Sequence, residues 1–421
     1  MDKRRTKVDQ LNLSQSQALF EKSSRLVPGG VQGVRRPYNY VPGEYPIFLS
    51  SAKGGRITDI DGNEYIDMLC AYGPIIIGYR EEEIDNAVID QIKQGGFCMS
   101  LTQPVQSQLA EKLRDVIPCC EKAIFAKSGS DATTAAVRVA RGYTGRSKIL
   151  RCGYHGWADW CVEDKGGIPP KLYEDVYGFV YNDLDQVEDL MQTHDPDVAA
   201  IIITPVGHPL AQKVQMPEPG FLEGVQELCR KFGTVLIFDE IRSGFRVALG
   251  GAQERFGVTP DIALFGKAMA NGYPISAVVG KADIMDVLED GRVFISSTFF
   301  GNSLEQVASL KTIELLETQK ILDAIEKKGE DFGQRITRLI EDSQLPCTLS
   351  GMPWMPCFTF DRDPDKRYKK LRMEFFTQMI RQRVFMAPYH HCYIAYRHTE
   401  EDLNEVTAAV GNAFDHLKTI L

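Results

Sequence analysis

A lysine closes the apolar, strand-like run Asp261-Ile-Ala-Leu-Phe-Gly-Lys267, 28 positions after the carboxylate that closes another such run, Val235-Leu-Ile-Phe-Asp239. An amine in apolar surroundings loses hydration, so its charged form becomes costly and its pKa falls towards the range where the free base attacks a carbonyl. Lys267 is therefore a candidate for Schiff-base chemistry, with Asp239 as its charged companion. Taken singly, each residue also has a plainer explanation: a strand-end lysine can snorkel to water, and a strand-end carboxylate can bind a metal or cap a helix.

Two further strand ends carry complementary features. The segment Ala123–Ala126 runs into Lys127-Ser-Gly-Ser-Asp-Ala-Thr133 and then into small and apolar residues that suit a packed helix. Backbone N–H groups of that turn, with the hydroxyls of Ser128 and Ser130, would face an anion at the positive end of that helix; an ordinary N-cap gives the same pattern. The segment Ile149–Cys152 ends in Gly153-Tyr-His-Gly-Trp157, where glycines flank two rings. Tyr154 is the candidate to stack on one face of a planar cofactor and Ile241 to pack on the other, although aromatic clusters of this kind also serve as plain packing. Pyridoxal 5′-phosphate (PLP) needs a lysine for its aldehyde, a carboxylate to keep its pyridine nitrogen protonated and a phosphate cradle. Four successive strand ends offer all three and a ring besides.

The elements that must position these residues follow from the same sequence. Apolar segments at Ala123–Ala126, Ile149–Cys152, Ala199–Thr204, Thr234–Phe238, Ile262–Phe265 and Ala277–Val279 alternate with helical stretches. That alternation predicts an α/β fold with a mostly parallel sheet covered on both faces, in which ligands gather at the carboxyl ends of the strands. A chain of 421 residues exceeds one ordinary core, and two domains are expected: a large one over 56–305, and a smaller α/β one from 1–55 and 306–421 that includes an N-terminal arm. Helices are predicted over Ser14–Leu26, Glu314–Ser343 and Tyr368–Val384.

The net charge of −9, without a basic block of five or more, argues against nucleic acid as a partner. The amino terminus lacks an apolar signal region, and the apolar runs are strand-sized, so neither secretion nor membrane insertion is expected. Ten cysteines without a Cys-x-x-Cys pair fit reduced thiols in a cytoplasmic protein better than a zinc cage or a disulfide scaffold, and no metal site is expected.

The segments Ser128-Gly-Ser-Asp-Ala132, Tyr154-His-Gly156, Phe238-Asp-Glu-Ile-Arg-Ser-Gly-Phe-Arg-Val247, Gly266-Lys267 and Thr298-Phe-Phe-Gly-Asn302 resemble those of the class III PLP-dependent aminotransferases. Within that family the chain is most similar to the glutamate-1-semialdehyde aminomutases, including Val27-Pro-Gly-Gly-Val31 and Ala248-Leu-Gly-Gly-Ala-Gln253. The resemblance implies fold type I architecture and a homodimer with active sites at its interface. It further implies that Lys267 holds PLP and serves as the base, Asp239 pairs with the pyridinium and Tyr154 stacks on the ring. Gly129 and Ser130 would hold the phosphate, and Thr298 would reach the phosphate of the neighbouring subunit.

Three departures bear on the substrate. The third strand ends in Thr204-Pro-Val-Gly-His208, where the family usually has a glutamate that partners a carboxylate-binding arginine. Gly33 and Tyr72 stand where the aminomutases have a serine and a tryptophan, while Arg36 falls at the position of their carboxylate-binding arginine. The late loop Ala387-Pro-Tyr-His-His-Cys-Tyr-Ile-Ala-Tyr-Arg-His398 replaces an acidic residue with hydrogen-bonding side chains. His390 and His391 could suit an amino-sugar or other polyhydroxylated aldehyde, Arg397 could clamp the carboxylate of a donor such as glutamate, and His208 could touch the cofactor's phenolic oxygen; a solvated loop and a turn histidine are the plainer explanations. The expected activity is an aminotransferase acting on an amine donor and an aldehyde or ketone acceptor, with an aminomutase as the alternative. A non-catalytic PLP-binding protein is a further reading, disfavoured while Lys267, Asp239 and the phosphate turn occur together.

Overall fold

The computed structural model describes residues 10–33, 37–207 and 213–420. The chain forms two compact units. One spans Glu82–207 and Gln215–Leu322; the other takes the described residues up to Glu81, the short stretch at Val214, and everything from Asp323 onward.

The first unit is built on a seven-stranded sheet. Its strands lie in the order Lys122–Ala126, Ser276–Gly280, Ile262–Phe265, Val235–Asp239, Val198–Ile203, Lys148–Cys152 and Val176–Gly178. All run parallel except Ser276–Gly280, which is antiparallel to both neighbours. The expectation of an α/β fold with a mostly parallel sheet is met. Val198-Ala-Ala-Ile-Ile-Ile203 is buried at every position, as a strand covered on both faces must be. The helix Gly129–Thr144 lies on one face and presents Ala132, Ala136, Val139 and Ala140 to a core shared with Ile237, Leu264 and Val278. Its alanines let the helix approach the sheet closely, which sets where its first turn stands.

All six expected strands form within a residue or so of their predicted ends. The three-residue edge strand Val176–Gly178 was not anticipated. The predicted helix over Glu314–Ser343 is instead two helices, Ser303–Thr318 and Ile321–Ser343, separated where Lys320 adopts a φ of +50°.

The second unit holds a sheet of Leu49–Lys53, Arg56–Asp59, Glu64–Asp67 and Val384–Phe385, with a separate hairpin of Cys347–Met352 and Met355–Phe360. Helices Arg367–Arg381 and Glu400–Lys418 pack through Phe375 and Phe414, whose stacked rings are 5.6 Å apart. Among the described residues no helix is long and apolar enough to cross a membrane.

Candidate active site

The first unit gathers its polar residues at the carboxyl ends of its parallel strands, where an open α/β sheet places ligands. Asp239 ends its strand only 5% exposed. Its Oδ2 lies 2.7 Å from His155 Nδ1, and its Oδ1 accepts the Ile241 N–H at 3.2 Å. The His155 ring is 1% exposed and stacks on Trp160 at 6.4 Å. Its backbone carbonyl accepts from Thr133 Oγ1 at 2.7 Å, which bolts the Gly153–Trp157 loop to the helix that begins at Gly129. Sequence reasoning weighed Tyr154 and passed over its neighbour. The sequence offers only the two glycines, Gly153 and Gly156, that bracket this histidine; its strand is separated from that of Asp239 by Val198–Ile203.

Gly156 shows how tightly these segments meet: a Cβ there would stand 2.2 Å from Ser130 Oγ, and its φ is +106°. Trp157 N–H donates to the same hydroxyl at 3.2 Å. Ser128 is the N-cap of the helix. Its hydroxyl donates to Asp131 Oδ2 at 2.8 Å and accepts from the Asp131 N–H at 3.2 Å, closing a capping box. The amide N–H groups of Gly129 and Ser130 have no acceptor among the described residues, and they point outward from the positive end of a 16-residue helix. Ser276 Oγ donates to the Ser128 carbonyl at 2.7 Å and braces this turn from the antiparallel strand.

Lys267 follows Gly266 at the end of its strand and takes a φ of +44°, strained for any residue with a Cβ. Burial lowers its pKa from the ordinary 10.5 to about 8; the guanidinium groups of Arg242 and Arg246 push the same way and the Asp239 carboxylate opposes them. The half-buried side chain of Ile241 joins the parts, because a Cβ on Gly129 would lie 3.1 Å from it and one on Gly266 3.2 Å. The phosphate turn, the carboxylate strand and the lysine turn thus converge on one residue. Tyr154 sits on the adjacent loop with its ring 60% exposed, and Thr298 is exposed on the loop before Ser303–Thr318.

Glu240, next to Asp239, has a different office. It is fully buried, and burial raises its pKa to about 7. Its carboxylate accepts from the Ala252 N–H, from Gln253 Nε2 at 3.2 Å and from Ser243 Oγ at 3.3 Å, so it secures the loop that follows the strand. Arg242 spans to the third strand end, donating to the carbonyls of Val206 at 3.1 Å and Gly207 at 2.5 Å.

The remaining sequence candidates lie elsewhere. Arg36 and His208 fall outside the described residues. Tyr72, His390, His391 and Arg397 belong to the second unit. There Tyr72 meets His390 edge-on at 5.1 Å, and His391 is buried with Nδ1 2.9 Å from the Met355 carbonyl. Arg397 is engaged by both oxygens of Glu81, one at 3.0 Å.

This arrangement suits PLP. Free amide donors at a helix N-terminus fit a phosphate, and a carboxylate held by two donors fits a protonated ring nitrogen. Beside them stand Ile241, packed against both the Gly129 and the Gly266 turns, and an amine whose proton is easily lost. A fold with these strand-end supports defines a PLP-dependent enzyme of fold type I.

Comparison with known proteins carries the class to a family. The family described as Aminotransferase class-III matches residues 40–407. A protein of Cloacimonas acidaminovorans named 3-aminobutyryl-CoA aminotransferase is 60% identical over 98% of this chain and 100% of its own length. A glutamate-1-semialdehyde 2,1-aminomutase of Citrifermentans bemidjiense is 34% identical over 96% of this chain and 99% of its own. Among solved structures, the PLP-bound FumI protein of Sphingopyxis sp. MTA144 superposes with a TM-score of 0.91 at 31% identity, covering 96% of each chain. The chain belongs to the class III aminotransferases, and its cofactor is pyridoxal 5′-phosphate.

Proposed function

We propose that the protein transfers an amino group between a 3-aminoacyl-CoA thioester and a 2-oxo acid, with glutamate as the amino acid of the second pair. The observation that carries this reading is the 60% identity, along the whole length of both chains, to a 3-aminobutyryl-CoA aminotransferase. Chemistry supports it. A β-amino thioester bears no free carboxylate, so that half of the reaction requires no guanidinium clamp; in the glutamate half, Arg397 would have to exchange Glu81 for a substrate carboxylate. The amino-sugar reading rested on the late loop; there His391 bonds a backbone carbonyl and Tyr389 lies under a guanidinium, which favours the thioester over a polyhydroxylated substrate.

The roles of the chain's residues follow. Bound PLP supplies an aldehyde carbon and an electron-accepting ring. We assign the phosphate to the N–H groups of Gly129 and Ser130, one ring face to Ile241 and the other to Tyr154. Asp239, held by His155 and the Ile241 N–H, keeps its carboxylate aimed at the ring nitrogen. With its pKa near 8, Lys267 Nζ is free base in roughly a tenth of molecules at pH 7. It serves as nucleophile towards the aldehyde, then as the base that carries a proton to and from the substrate carbon. A homodimer in which Thr298 approaches the partner's phosphate site belongs to this proposal.

The test incubates PLP-loaded enzyme with 3-aminobutyryl-CoA and 2-oxoglutarate, and follows glutamate and 3-oxobutyryl-CoA. Equimolar products are expected. Conversion of glutamate semialdehyde with no added donor or acceptor, alongside rejection of the thioester, would replace this reading with the aminomutase.

A further inference from the structure

An amino acid and its 2-oxo acid carry a carboxylate on the very carbon that exchanges the amine, and a 3-aminoacyl thioester carries none there. A site that alternates between the two gains from a cation beside its lysine, which only the first kind of substrate meets with a charge of its own. The first unit holds such a cation in Arg242.

Arg242 lies on the loop that leaves the central strand Val235–Asp239 at its carboxyl end, directly after Ile241. Ile241 reaches the lysine turn on one side, where a Cβ on Gly266 would stand 3.2 Å from its Cδ1. The guanidinium reaches the other side. Its Nη2 donates to the carbonyls of Val206 at 3.1 Å and Gly207 at 2.5 Å, just beyond the neighbouring strand Val198–Ile203. Burial does most to lower the pKa of Lys267, and the charge of Arg242 is the next largest influence in the same direction. Arg242 therefore stands on the ligand-bearing edge of the sheet, within electrostatic reach of the reactive amine.

Holding two carbonyls occupies Nη2 alone. Nε is buried without an acceptor, and among the described residues Nη1 has no acceptor and no carboxylate pairs with the side chain. The acids that precede it are committed, Asp239 to His155 and the Ile241 N–H, and Glu240 to Ala252, Gln253 and Ser243. A half-buried guanidinium without a counter-charge is costly, and a neutral amide would serve as well to tie down two carbonyls. The uncommitted charge is complementary to a carboxylate. We propose that Arg242 binds the carboxylate borne by the reacting carbon in the amino-acid half of the reaction. The inference rests on the reading above and names the residue that tells the two substrates apart. Unlike Arg397, Arg242 has no Glu81 to exchange for its ligand.

The experiment follows the glutamate and 3-aminobutyryl-CoA half-reactions separately, through the absorbance of bound PLP, in wild type, Arg242→Gln and Arg242→Lys. Each protein is measured at the top of its own pH profile, because removing a cation beside Lys267 also raises the pKa of that amine. Calorimetry of glutarate, a dicarboxylate with no reacting group, gives a readout free of chemistry, and a fluorescence titration gives the Kd for PLP. In Arg242→Gln the half-saturating glutamate concentration should rise about 10- to 100-fold, with a far smaller change for the thioester and a matching loss of glutarate affinity. Arg242→Lys, which keeps the charge, should recover part of both. Equal losses in the two half-reactions, or a loss accounted for by a weaker Kd for PLP, would make Arg242 a brace or a cofactor ligand and overturn the proposal. Glutarate binding that ignores the charge at this position would overturn it too. If wild type rejects the thioester, the functional reading has failed; glutarate then decides Arg242 alone, and failure of wild type to bind it refutes the assignment.

Discussion

Replacing Lys267 with methionine should stabilise the PLP-free protein. The amine sits where its charge is poorly solvated, so its pKa falls from 10.5 to about 8. Between those values the unfolded chain holds more protons than the folded one, and wild-type stability rises with pH across that window. Below it the buried charge is a standing penalty, which this difference sets at about 3 kcal/mol as an upper figure, because water reaching the half-buried side chain reduces it. Methionine keeps the length of the stem and removes the charge; its backbone retains the strained φ, so that contribution cancels. Urea unfolding of both PLP-free proteins at pH 7 should show Lys267→Met ahead by about 2–3 kcal/mol, and by pH 10.5 the gap should have largely closed. Equal stabilities at pH 7, or a gap that ignores pH, would refute the placement of a desolvated amine at this strand end.

Gly156→Ala forces a Cβ to within 2.2 Å of Ser130 Oγ at a φ of +106°, and should raise the Kd for PLP about ten- to a hundred-fold in a fluorescence titration. For Ser128→Ala the expectation runs the other way: its hydroxyl serves the capping box, so urea unfolding should show a loss of about 1 kcal/mol while PLP affinity shifts by less than about three-fold. Glu240 holds its proton more tightly folded than unfolded, since its pKa rises from 4.5 to about 7, so its contribution to stability falls as pH rises through that window. The stability of Glu240→Gln relative to wild type should improve by about 3 kcal/mol from the bottom of that window to the top; parallel pH profiles would contradict the assigned environment.

Much of the large unit was legible because buried strands write themselves as runs of Val, Ile, Leu and Ala, and Val198–Ile203 is such a run throughout. Direction is not written in the same way: nothing in Ser276-Ala-Val-Val-Gly280 distinguishes an antiparallel strand from its parallel neighbours. The edge strand Val176–Gly178 is too short to make a pattern, and the break at Lys320 uses neither glycine nor proline. At the candidate site, residue types at strand ends pointed to a lysine, a carboxylate and an anion turn, since local sequence sets what a strand end carries. Pairings across long separations were not readable. His155 finds Asp239 across 84 positions, and Glu81 meets Arg397 across 316.

The reversed strand Ser276–Gly280 gives the site a built-in ruler. Its first residues pair with Ala126 on one side and, through Ala277, with Phe265 on the other, at the end of the sheet where both reactive turns emerge. The chain leaves Lys267, turns back through Asn271 and Gly272, and inserts itself between the lysine turn and the phosphate turn. The separation between the strands that carry the amine and the phosphate cradle is therefore counted out in two backbone ladder spacings, one intervening strand wide. Side chains around the site can diversify towards new substrates while that span stays fixed, which lets one scaffold change its chemistry at the rim without recalibrating its centre.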